Sequence, residues 1–387
     1  SPTARLHKPF NGAAQAACQA DTLDPFHLLQ TTGDIPMTMT SYQVETFGTP
    51  LAQKLREVPQ AQGREVVLRI GSCGVCHSDV HLHDGYFDLG GGNKLDMTRT
   101  VNPPRTLGHE IAGTVVAVGP DAQGVSVGER RVVFPWIGCG TCSLCAEGRE
   151  HLCNRPQALG IHRDGGFSTH VVVPDTKYLI DYGSLAEEQA CTYACSGLTA
   201  YSALKKVGSV GPKDPLLIIG AGGVGLSGIR LARQMFGVAP IVVELDKAKW
   251  DIAREAGASE VIDPTADGAL KNLIKATGGG VAAAVDFVGA AATFNFGFGA
   301  LRKAGKLVCV GLFGGATPIV PAMVSMKAVS VEGSYVGSLQ EMQELMAIAR
   351  TGVLPDLPLT SQPLDTATQA LEDLRAGRIR GRTILKA

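Results

Sequence analysis

The fold of this chain is decided by residues 216–225, which read LLIIGAGGVG. Four large aliphatic residues lead into glycines at positions 220, 222 and 225, in the order G-x-G-x-x-G. An apolar run that enters this motif and is followed by a helical pattern predicts a strand, a tight turn and a helix start. The N-terminus of such a helix binds phosphate, so the stretch indicates a dinucleotide site.

The residues of this turn have separate predicted roles in cofactor binding. Gly220 permits the tight turn, Gly222 lets the backbone approach the pyrophosphate, and Gly225 lets the helix lie close to the sheet. Gly223 and Val224 complete the cofactor-binding turn. The alternative is an ordinary glycine-rich loop in a chain with 48 glycines, but the position between a strand and a helix favours the cofactor site.

An acidic residue, Glu244, ends the next apolar run about 20 residues after the glycine turn. A carboxylate there can accept hydrogen bonds from the hydroxyls of the adenosine ribose, and it would repel a 2′-phosphate. The sequence therefore favours NAD over NADP. Lys247 and Lys249 lie just beyond and could weaken this preference, with Lys249 a candidate cofactor contact. The alternative for Glu244 is a solvated surface position.

Outward from the glycine turn, apolar runs and helical patterns alternate. The predicted strands are 216–220, 241–245, 283–288, 306–310 and 329–331, and the predicted helices are 224–236, 247–256 and, last, 339–350. Such alternation predicts an α/β fold with a parallel, doubly wound sheet. Residues 44–173 instead contain short β-type runs at 66–70, 111–118 and 131–134, separated by turns, which predict an irregular, largely β domain.

Size and charge exclude several classes of protein. With 387 residues the chain exceeds the usual size of one core, so we expect two domains. Its 35 basic and 36 acidic residues give a formal net charge of −1, which leaves no basic stripe for nucleic acid and no polybasic membrane patch. No apolar run reaches the length of about 18 residues that a membrane span needs. The predicted partner is a small molecule.

The cysteines and the first residues bear on the compartment. Ten cysteines could suggest a secreted protein, but they cluster at metal-type spacings in a large chain, so we expect a reduced, cytoplasmic protein. Residues 1–37 lack a signal-type apolar core. They are predicted to be an N-terminal extension that is disordered or foreign to the native protein, which could begin at Met37 or Met39.

Four cysteines lie close together in one loop with the spacing C-x2-C-x2-C-x7-C. They are Cys139, Cys142, Cys145 and Cys153. Four thiolates can enclose one zinc ion tetrahedrally and leave no open position, so this four-cysteine loop predicts structural zinc. An iron–sulfur cluster also uses four cysteines, but the run C-x2-C-x2-C-x3-C-P is missing.

A second group of metal-type residues is scattered along the chain. Its members are Cys76, His109 and Cys195, which we call the three-residue site. Each alone could be an ordinary core residue, and Cys73 with Cys76 could be a redox pair or a coincidence. Two thiolates and one imidazole would balance Zn²⁺ and leave a fourth position for water or an alcohol.

With these motifs the chain resembles the zinc-containing medium-chain alcohol dehydrogenases over nearly all of residues 40–387. The resemblance implies a GroES-like, mostly β catalytic domain of residues 38–195 and 338–387. It also implies a Rossmann domain of residues 196–337 that binds NAD in a cleft between the two. Cys195 falls at the junction and would tie both domains to one metal ion.

The resemblance also implies roles for residues around the metal. It makes Cys76, His109 and Cys195 the ligands of a catalytic zinc ion, with Glu110 beside the metal and Asp79 orienting His109.

Four further residues gain roles from the resemblance. Ser78 would touch the alcohol and His81 would pass its proton onward, unless His81 is an ordinary surface histidine. His77 and Arg382 match positions that contact the cofactor pyrophosphate, although Arg382 could be only a solvated charge near the C-terminus.

The substrate pocket is less well defined by the sequence. Tyr86, Phe87 and Trp136 lie near motifs that reach the cleft, so they could wall an apolar pocket for an alkyl or aryl alcohol, or be plain core. Residues 88–102 depart from the shorter family members, and an inserted glycine-rich loop there would reshape the entrance.

Three rival functions use parts of the same pattern. A polyol or formaldehyde-adduct dehydrogenase has the same fold. In the polyol branch, however, the metal ligand at the position of Cys195 resembles a glutamate. A zinc-binding interaction or nucleic-acid module would need only the four-cysteine loop, and a zinc-free quinone reductase would need neither metal group. The resemblance favours reversible NAD-linked oxidation of a small alcohol to an aldehyde or ketone, by a homodimer or homotetramer with two zinc ions per chain.

Overall fold

The computed structural model describes residues 38–387, and the predictions for residues 1–37 lie outside the described residues. The strands are Thr38–Val44 (β1), Ala52–Glu57 (β2), Val66–Gly74 (β3), Tyr86–Gly90 (β4), Asn93–Asp96 (β5), Arg105–Thr106 (β6), Glu110–Val118 (β7), Arg130–Val133 (β8), His170–Val173 (β9), Leu179–Ile180 (β10), Leu216–Ile219 (β11), Ile241–Val243 (β12), Glu260–Ile262 (β13), Val281–Asp286 (β14), Leu301–Cys309 (β15), Ser330–Gly333 (β16), Leu359–Pro363 (β17) and Arg382–Lys386 (β18).

Helices connect these strands, most of them in the second half of the chain. They are His77–Asp84 (α1), Thr98–Val101 (α2), Ser143–Ala146 (α3), Glu187–Thr192 (α4), Leu198–Val207 (α5), Gly223–Phe236 (α6), Trp250–Glu255 (α7), Ala269–Ala276 (α8), Ala291–Ala300 (α9), Pro321–Lys327 (α10), Leu339–Ala349 (α11) and Ala367–Arg375 (α12). Tyr193–Gly197 is a π-helical turn between α4 and α5. No helix from residue 38 onward combines the length and apolar character needed to cross a membrane.

The predicted parallel sheet is confirmed. Its strand order is β13-β12-β11-β14-β15-β16, and all pairs run parallel. The central strand β11 is buried on both faces: Leu216 and Ile218 belong to one apolar core, Leu217 and Ile219 to another. The order reverses between β12 and β14 on either side of β11, and such a switch point opens a ligand crevice at the carboxyl ends of the strands.

The second large sheet holds strands that adjoin other predicted site residues. Its order is β10-β8-β7-β3-β18-β17, with β9 also pairing β3. The C-terminal strand β18 returns to β3, with Ile384 opposite Gly74, so the last residues lie beside the segment that precedes Cys76. The domain boundaries at residues 195/196 and 337/338 stay a prediction.

Most predicted elements exist with ends shifted by a few residues, but the prediction that residues 339–350 form the last helix is wrong. Helix α12 follows, with Ala367, Ala370 and Leu371 buried. Two of these three buried residues are alanines, which give a weak hydrophobic signal in the sequence. The segment 247–256 begins as a 3₁₀ turn, Lys247–Lys249, before α7.

Residues 88–102 form a hairpin and a short helix where the sequence predicted an inserted loop. Strands β4 and β5 pair with each other, and α2 follows. The hairpin tip touches the loop after β15 so closely that a Cβ atom on Gly90 would lie 2.3 Å from the Cα atom of Gly315. Any larger residue at Gly90 would push the two segments apart.

Candidate active site

The three-residue site is brought together by two neighbouring strands of the second sheet, β3 and β7, and by the helical turn before α5. Cys76 follows β3 and caps the N-terminus of α1, His109 immediately precedes β7, and Cys195 lies in the π-helical turn before α5. Their ligand atoms all lie within 4.8 Å of one another. The Sγ atoms of Cys76 and Cys195 are 3.9 Å apart, and all three residues are buried.

A buried carboxylate, Asp79, holds two of these residues in position. Its Oδ2 atom accepts a hydrogen bond of 2.9 Å from the backbone N–H of Cys76, and its Oδ1 atom accepts one of 3.2 Å from Gly108. Oδ1 also lies 3.2 Å from Nδ1 of His109, at an angle outside that of a regular hydrogen bond. This agrees with the predicted orienting role of Asp79 toward His109.

The residues present fit a zinc ion. Nε2 of His109 is buried and has no hydrogen-bond partner among the described residues, and a ring nitrogen of His109 lies within 4.8 Å of two thiol sulfurs. A hydrogen bond from Cys195 lowers the pKa of Cys76 against the effect of burial, while the same bond and burial raise the pKa of Cys195. A divalent ion would replace this shared proton, because zinc binds thiolates and neutral imidazole.

Glu110 and Arg382 form a buried ion pair behind the three-residue site. Glu110 pairs with the guanidinium of Arg382 and also accepts a hydrogen bond of 3.1 Å from the backbone N–H of Ser196, next to Cys195. Burial raises the pKa of Glu110, and Arg382 opposes this shift. The alternative of a solvated charge is therefore wrong for Arg382, which is 5% exposed. Its contact with pyrophosphate stays a prediction.

The residues of the predicted proton path lie on α1. Ser78 Oγ is 3.7 Å from Cys76 Sγ. His81 is half-buried, with ring centroids of Phe87 and His77 at 4.6 and 5.3 Å. His77 itself is exposed. Burial is the main cause that lowers the pKa of His81, followed by the charge of His77, so its ring favours the neutral form.

The four-cysteine loop is a separate, more exposed group. The four sulfurs all lie within 4.8 Å of one another, and only Cys153 is buried. Cys153 Sγ also accepts hydrogen bonds of 3.3 Å from the backbone N–H groups of Cys139 and Arg155. Hydrogen bonds from Thr141 are the largest effect that lowers the pKa of Cys139, to about 5. The group fits a closed, tetrahedral zinc site.

A carboxylate that was not predicted from the sequence, Glu150, anchors this loop. Glu150 accepts hydrogen bonds from the backbone N–H of Gly138 at 3.2 Å, from Lys177 Nζ at 2.6 Å and from the hydroxyl of Tyr178. These contacts outweigh burial and lower the pKa of Glu150. An acidic residue within the loop was a visible signal, but its partners lie on the next segment of the chain.

The glycine turn has the predicted conformation. Gly220 has a positive φ of 94°, and Gly222 caps α6, with no atom within 4 Å of the place where its Cβ would lie. A Cβ on Gly225 would lie 1.9 Å from the carbonyl oxygen of Gly220, so the helix approaches the turn as expected. A Cβ on Gly223 would lie 2.3 Å from Cδ of Arg382, which brings that side chain to the helix start.

Glu244 lies directly beside the glycine turn. Its Oε2 atom accepts a hydrogen bond of 2.7 Å from the backbone N–H of Ala221, and Oε1 accepts one of 2.8 Å from Asp246. At 8% exposure it is no solvated surface residue. Lys249 lies nearby, with Nζ 3.8 Å from Asp246 Oδ2. Glu244 fixes the turn, and its contact with ribose stays a prediction.

A cavity of about 320 Å³ lies on one side of Trp136, between the three-residue site and the four-cysteine loop. Trp136 lines it and also contacts the ring of His109, at 5.2 Å between ring centroids. Tyr335, which the sequence analysis missed, lines the cavity too and meets Trp136 edge-on at 6.1 Å. Tyr86 and Phe87 do not line this cavity: Tyr86 packs under the ammonium of Lys94 at 3.6 Å.

The redox alternative for Cys73 and Cys76 is not supported by the geometry. Cys76 Sγ faces Cys195, whereas Cys73 Sγ is wedged against Gly108 and Gly166, where added Cβ atoms would lie 2.9 and 2.5 Å from it. Burial raises the pKa of Cys73 well above that of an ordinary thiol. Cys73 is therefore an inert core residue.

Known proteins match this chain along most of its length. Residues 62–182 match the family model described as alcohol dehydrogenase GroES-like domain, and residues 223–351 match the one described as zinc-binding dehydrogenase. An NAD-dependent alcohol dehydrogenase of Sulfurisphaera tokodaii is 34% identical over 349 residues, which are 90% of this chain and 99% of the relative. The corresponding enzyme of Saccharolobus solfataricus is also 34% identical over 349 residues, with the same coverage.

A solved structure agrees with these relatives. The alcohol dehydrogenase of Aeropyrum pernix superimposes with a TM-score of 0.80 at 29% identity, covering 90% of this chain and 100% of that one. The predicted fold class, a GroES-like part and a Rossmann part, is thereby confirmed. The two metal-type groups and the glycine turn also fit the expected cofactors, NAD and two zinc ions. The chain belongs to the zinc-containing medium-chain alcohol dehydrogenase family.

Proposed function

We propose that this protein is a zinc-dependent alcohol dehydrogenase that reversibly oxidises a small alcohol with NAD, giving an aldehyde or a ketone. The observation that carries the proposal is the buried convergence of Cys76, His109 and Cys195 from three distant segments, with His109 Nε2 left without a partner. Three ligands leave the fourth position of a tetrahedral zinc ion for substrate. When bound, zinc acts as a Lewis acid on the alcohol oxygen and NAD accepts the hydride.

The residues around the site would prepare this chemistry. Asp79 would keep the ring of His109 turned toward the metal, because the Asp79 carboxylate is itself held by the backbone N–H groups of Cys76 and Gly108. Trp136 is 4% exposed, and its indole N–H donates to the carbonyl of Ala194 at 2.9 Å. This fixed, buried ring would help to exclude water from the metal-facing side of the site.

Ser78 and His81 would carry the proton of the alcohol out of the site. The two residues are three positions apart on α1 and therefore share one helix face. Ser78 lies beside Cys76, while His81 lies farther along the helix and is covered by Phe87. The lowered pKa of His81 leaves a neutral ring that can accept a proton near neutral pH.

The cofactor would lie across the glycine turn, with Glu244 selecting NAD. Gly222 leaves open space at the N-terminus of α6, as a bound pyrophosphate requires. Gly220, Gly223, Val224 and Gly225 would form the rest of this contact, assisted by His77, Lys249 and Arg382. Glu244 is buried beside the turn, where a 2′-phosphate would meet its charge.

Metal analysis combined with an assay tests the proposal. We expect two zinc ions per chain and NAD reduction with members of a panel of primary, secondary, aromatic and poly-hydroxylated alcohols, lost on treatment with a zinc chelator. We expect a higher kcat/KM with NAD than with NADP. A chain that holds no zinc, or that reduces quinones and oxidises no alcohol, would contradict the proposal, and a clear preference for NADP would remove the role of Glu244.

The assembly and compartment form a further part of the proposal. Strand β16 is the outer strand of the parallel sheet, and Val331 on it is 40% exposed, beside Met326 at 66% and Val320 at 57%. Pairing of two such edges would give a homodimer, and two homodimers could associate into a homotetramer. We also propose a reducing, cytoplasmic location, since the nine cysteines within residues 38–387 are all free thiols. Sedimentation analysis would measure the assembly.

A further inference from the structure

The cavity beside Trp136 has a composition that points to a class of substrate. Apolar side chains supply much of its wall, including Ile137, Leu152 and Ala158. Two histidines, His151 and His162, are also part of the wall. A cavity of about 320 Å³ is at the lower end of the range for small-molecule pockets, which are mostly apolar with a few fixed polar groups.

The two histidines are not committed to partners within the protein. Nδ1 of His151 and Nδ1 of His162 are both buried without a hydrogen-bond partner among the described residues. No partner therefore fixes the tautomer of either ring, and the other ring nitrogen can act as donor or acceptor. The acidic residue of the wall, Glu150, already binds Gly138, Lys177 and Tyr178.

Each histidine is held by a segment that belongs to, or packs against, one of the two metal-type sites. His151 lies in the 3₁₀ turn Glu150–Leu152, inside the four-cysteine loop. The backbone N–H of His162 donates to the carbonyl of Ala158 at 2.9 Å. This turn packs against Gly108, the neighbour of His109, because a Cβ atom on Gly160 would lie 2.5 Å from the carbonyl oxygen of Gly108. The rings are therefore attached to a rigid frame.

We propose that this cavity receives the far end of the alcohol and that His151 and His162 select substrates with a second, uncharged hydroxyl or carbonyl group. The inference rests on the proposed function. A hydroxyl can donate a hydrogen bond to one ring and accept one from the other. The two histidine rings can provide this pair, because no partner fixes the tautomer of either ring. A carboxylate at the same place would lose its hydration among apolar side chains, and the nearby ammonium of Lys177 is already paired with Glu150.

Matched substrates test this selection. The holoenzyme is assayed with unbranched primary alcohols of increasing length, with the α,ω-diol of each length and with the ω-hydroxy acid. At the length where the far end reaches the histidines, we expect kcat/KM for the diol to exceed that for the mono-alcohol by about fivefold, the effect of one hydrogen bond. The hydroxy acid should be the poorest of the three.

Variants identify the residues responsible. His151→Leu and His162→Leu should bring the ratio of diol to mono-alcohol close to one, whereas His151→Gln and His162→Gln, which keep a donor and an acceptor, should preserve part of it. Arg254→Gln, on the exposed surface of α7, is the control. An unchanged ratio in both leucine variants, or a preference for the hydroxy acid, would overturn the inference.

A binding measurement separates this inference from the proposed function. In the zinc- and NADH-loaded enzyme labelled with ¹⁵N-histidine, the diol should shift the ring signals of His151 and His162, assigned from the two glutamine variants. The mono-alcohol of the same length should not. If no alcohol is oxidised but these shifts occur, the proposed function fails and the cavity assignment stands. If alcohols are oxidised and the diol shifts neither ring, the cavity assignment fails alone.

Discussion

The four-cysteine loop takes all its ligands from residues 139–153, whereas the three-residue site takes Cys76, His109 and Cys195 from segments that are distant in sequence. Three of the four ligands of the first are partly exposed, and those of the second are at most 5% exposed. The three-residue site, which leaves one coordination position for substrate, is thus the more deeply buried of the two. A local site can form with its loop, but a distributed site forms only after β3, β7 and the turn before α5 are in position.

The difference between the sites extends to the carboxylate behind each. Asp79 accepts hydrogen bonds from the backbone of Cys76 and of Gly108, the neighbour of His109, so it positions two of the metal ligands. Glu150 instead connects the backbone of Gly138 to Lys177 and Tyr178, so it connects the loop to the neighbouring chain. We infer that the first site is tuned for chemistry and the second for rigidity.

The largest expected effect comes from replacing one ligand in each site. Cys76→Ser should lower kcat by on the order of 1000-fold with little change in the far-ultraviolet circular dichroism, because a Lewis acid contributes several kcal/mol to the barrier. Cys145→Ser should leave most of kcat in the folded enzyme but lower the free energy of unfolding. A crosslink that closes a loop of about 15 residues contributes about 3 kcal/mol.

Steady-state kinetics, zinc content and denaturant unfolding measure these effects side by side. The comparison fails if Cys145→Ser abolishes turnover in a fully folded enzyme, or if Cys76→Ser loses stability and keeps its rate.

The two carboxylates should also differ in what their loss changes. Asp79→Asn should reduce activity or zinc affinity at the three-residue site by about 10- to 100-fold, as for other residues that orient a metal-bound histidine. Glu150→Gln should reduce the free energy of unfolding by about 1–3 kcal/mol, since it weakens a buried acceptor of three hydrogen bonds. Zinc titration and urea unfolding of both variants measure these effects. If Asp79→Asn and Glu150→Gln lowered zinc affinity equally, the two carboxylates would not have different roles.

The features whose residues are close together in the chain could be predicted from the sequence. The glycine turn and the four-cysteine loop were predictable from spacing alone, because one strand, turn or loop supplies every member. Glu244 was also found, but its hydrogen bond to the turn at Ala221 was not, since either a surface or a cofactor role was compatible with its position.

Features that depend on distant segments were less predictable. Arg382 pairs with Glu110 across 272 residues of sequence, and no local pattern encodes such a contact. The gathering of Cys76, His109 and Cys195 was inferred from a family resemblance and not from spacing. The cavity histidines were missed for the same reason: what distinguishes His151 and His162 is the absence of partners for Nδ1, which only the folded structure reveals.

The smallest expected effect concerns pH, at the proton path beside the three-residue site. Burial lowers the pKa of His81, so the ring stays able to accept a proton until the pH falls below its ordinary value of about 6.5. His81→Gln should remove this inflection from the pH profile of kcat. It should lower the rate by about 10-fold, less than the 10²- to 10⁴-fold of a direct general base, because His81 acts at a distance from the alcohol.

A matched control distinguishes the proton path from a general effect of buried histidines. His170 on β9 also has a pKa lowered by burial, but it lies outside the three-residue site and the cavity. For both residues the unfolded chain takes up a proton first as the pH falls below about 6.5, so each contributes to a loss of stability on acidification. His170→Gln and His81→Gln should therefore both flatten the pH dependence of unfolding, while only His81→Gln changes the pH profile of kcat. If His170→Gln altered that profile equally, the change would report folding and not proton transfer.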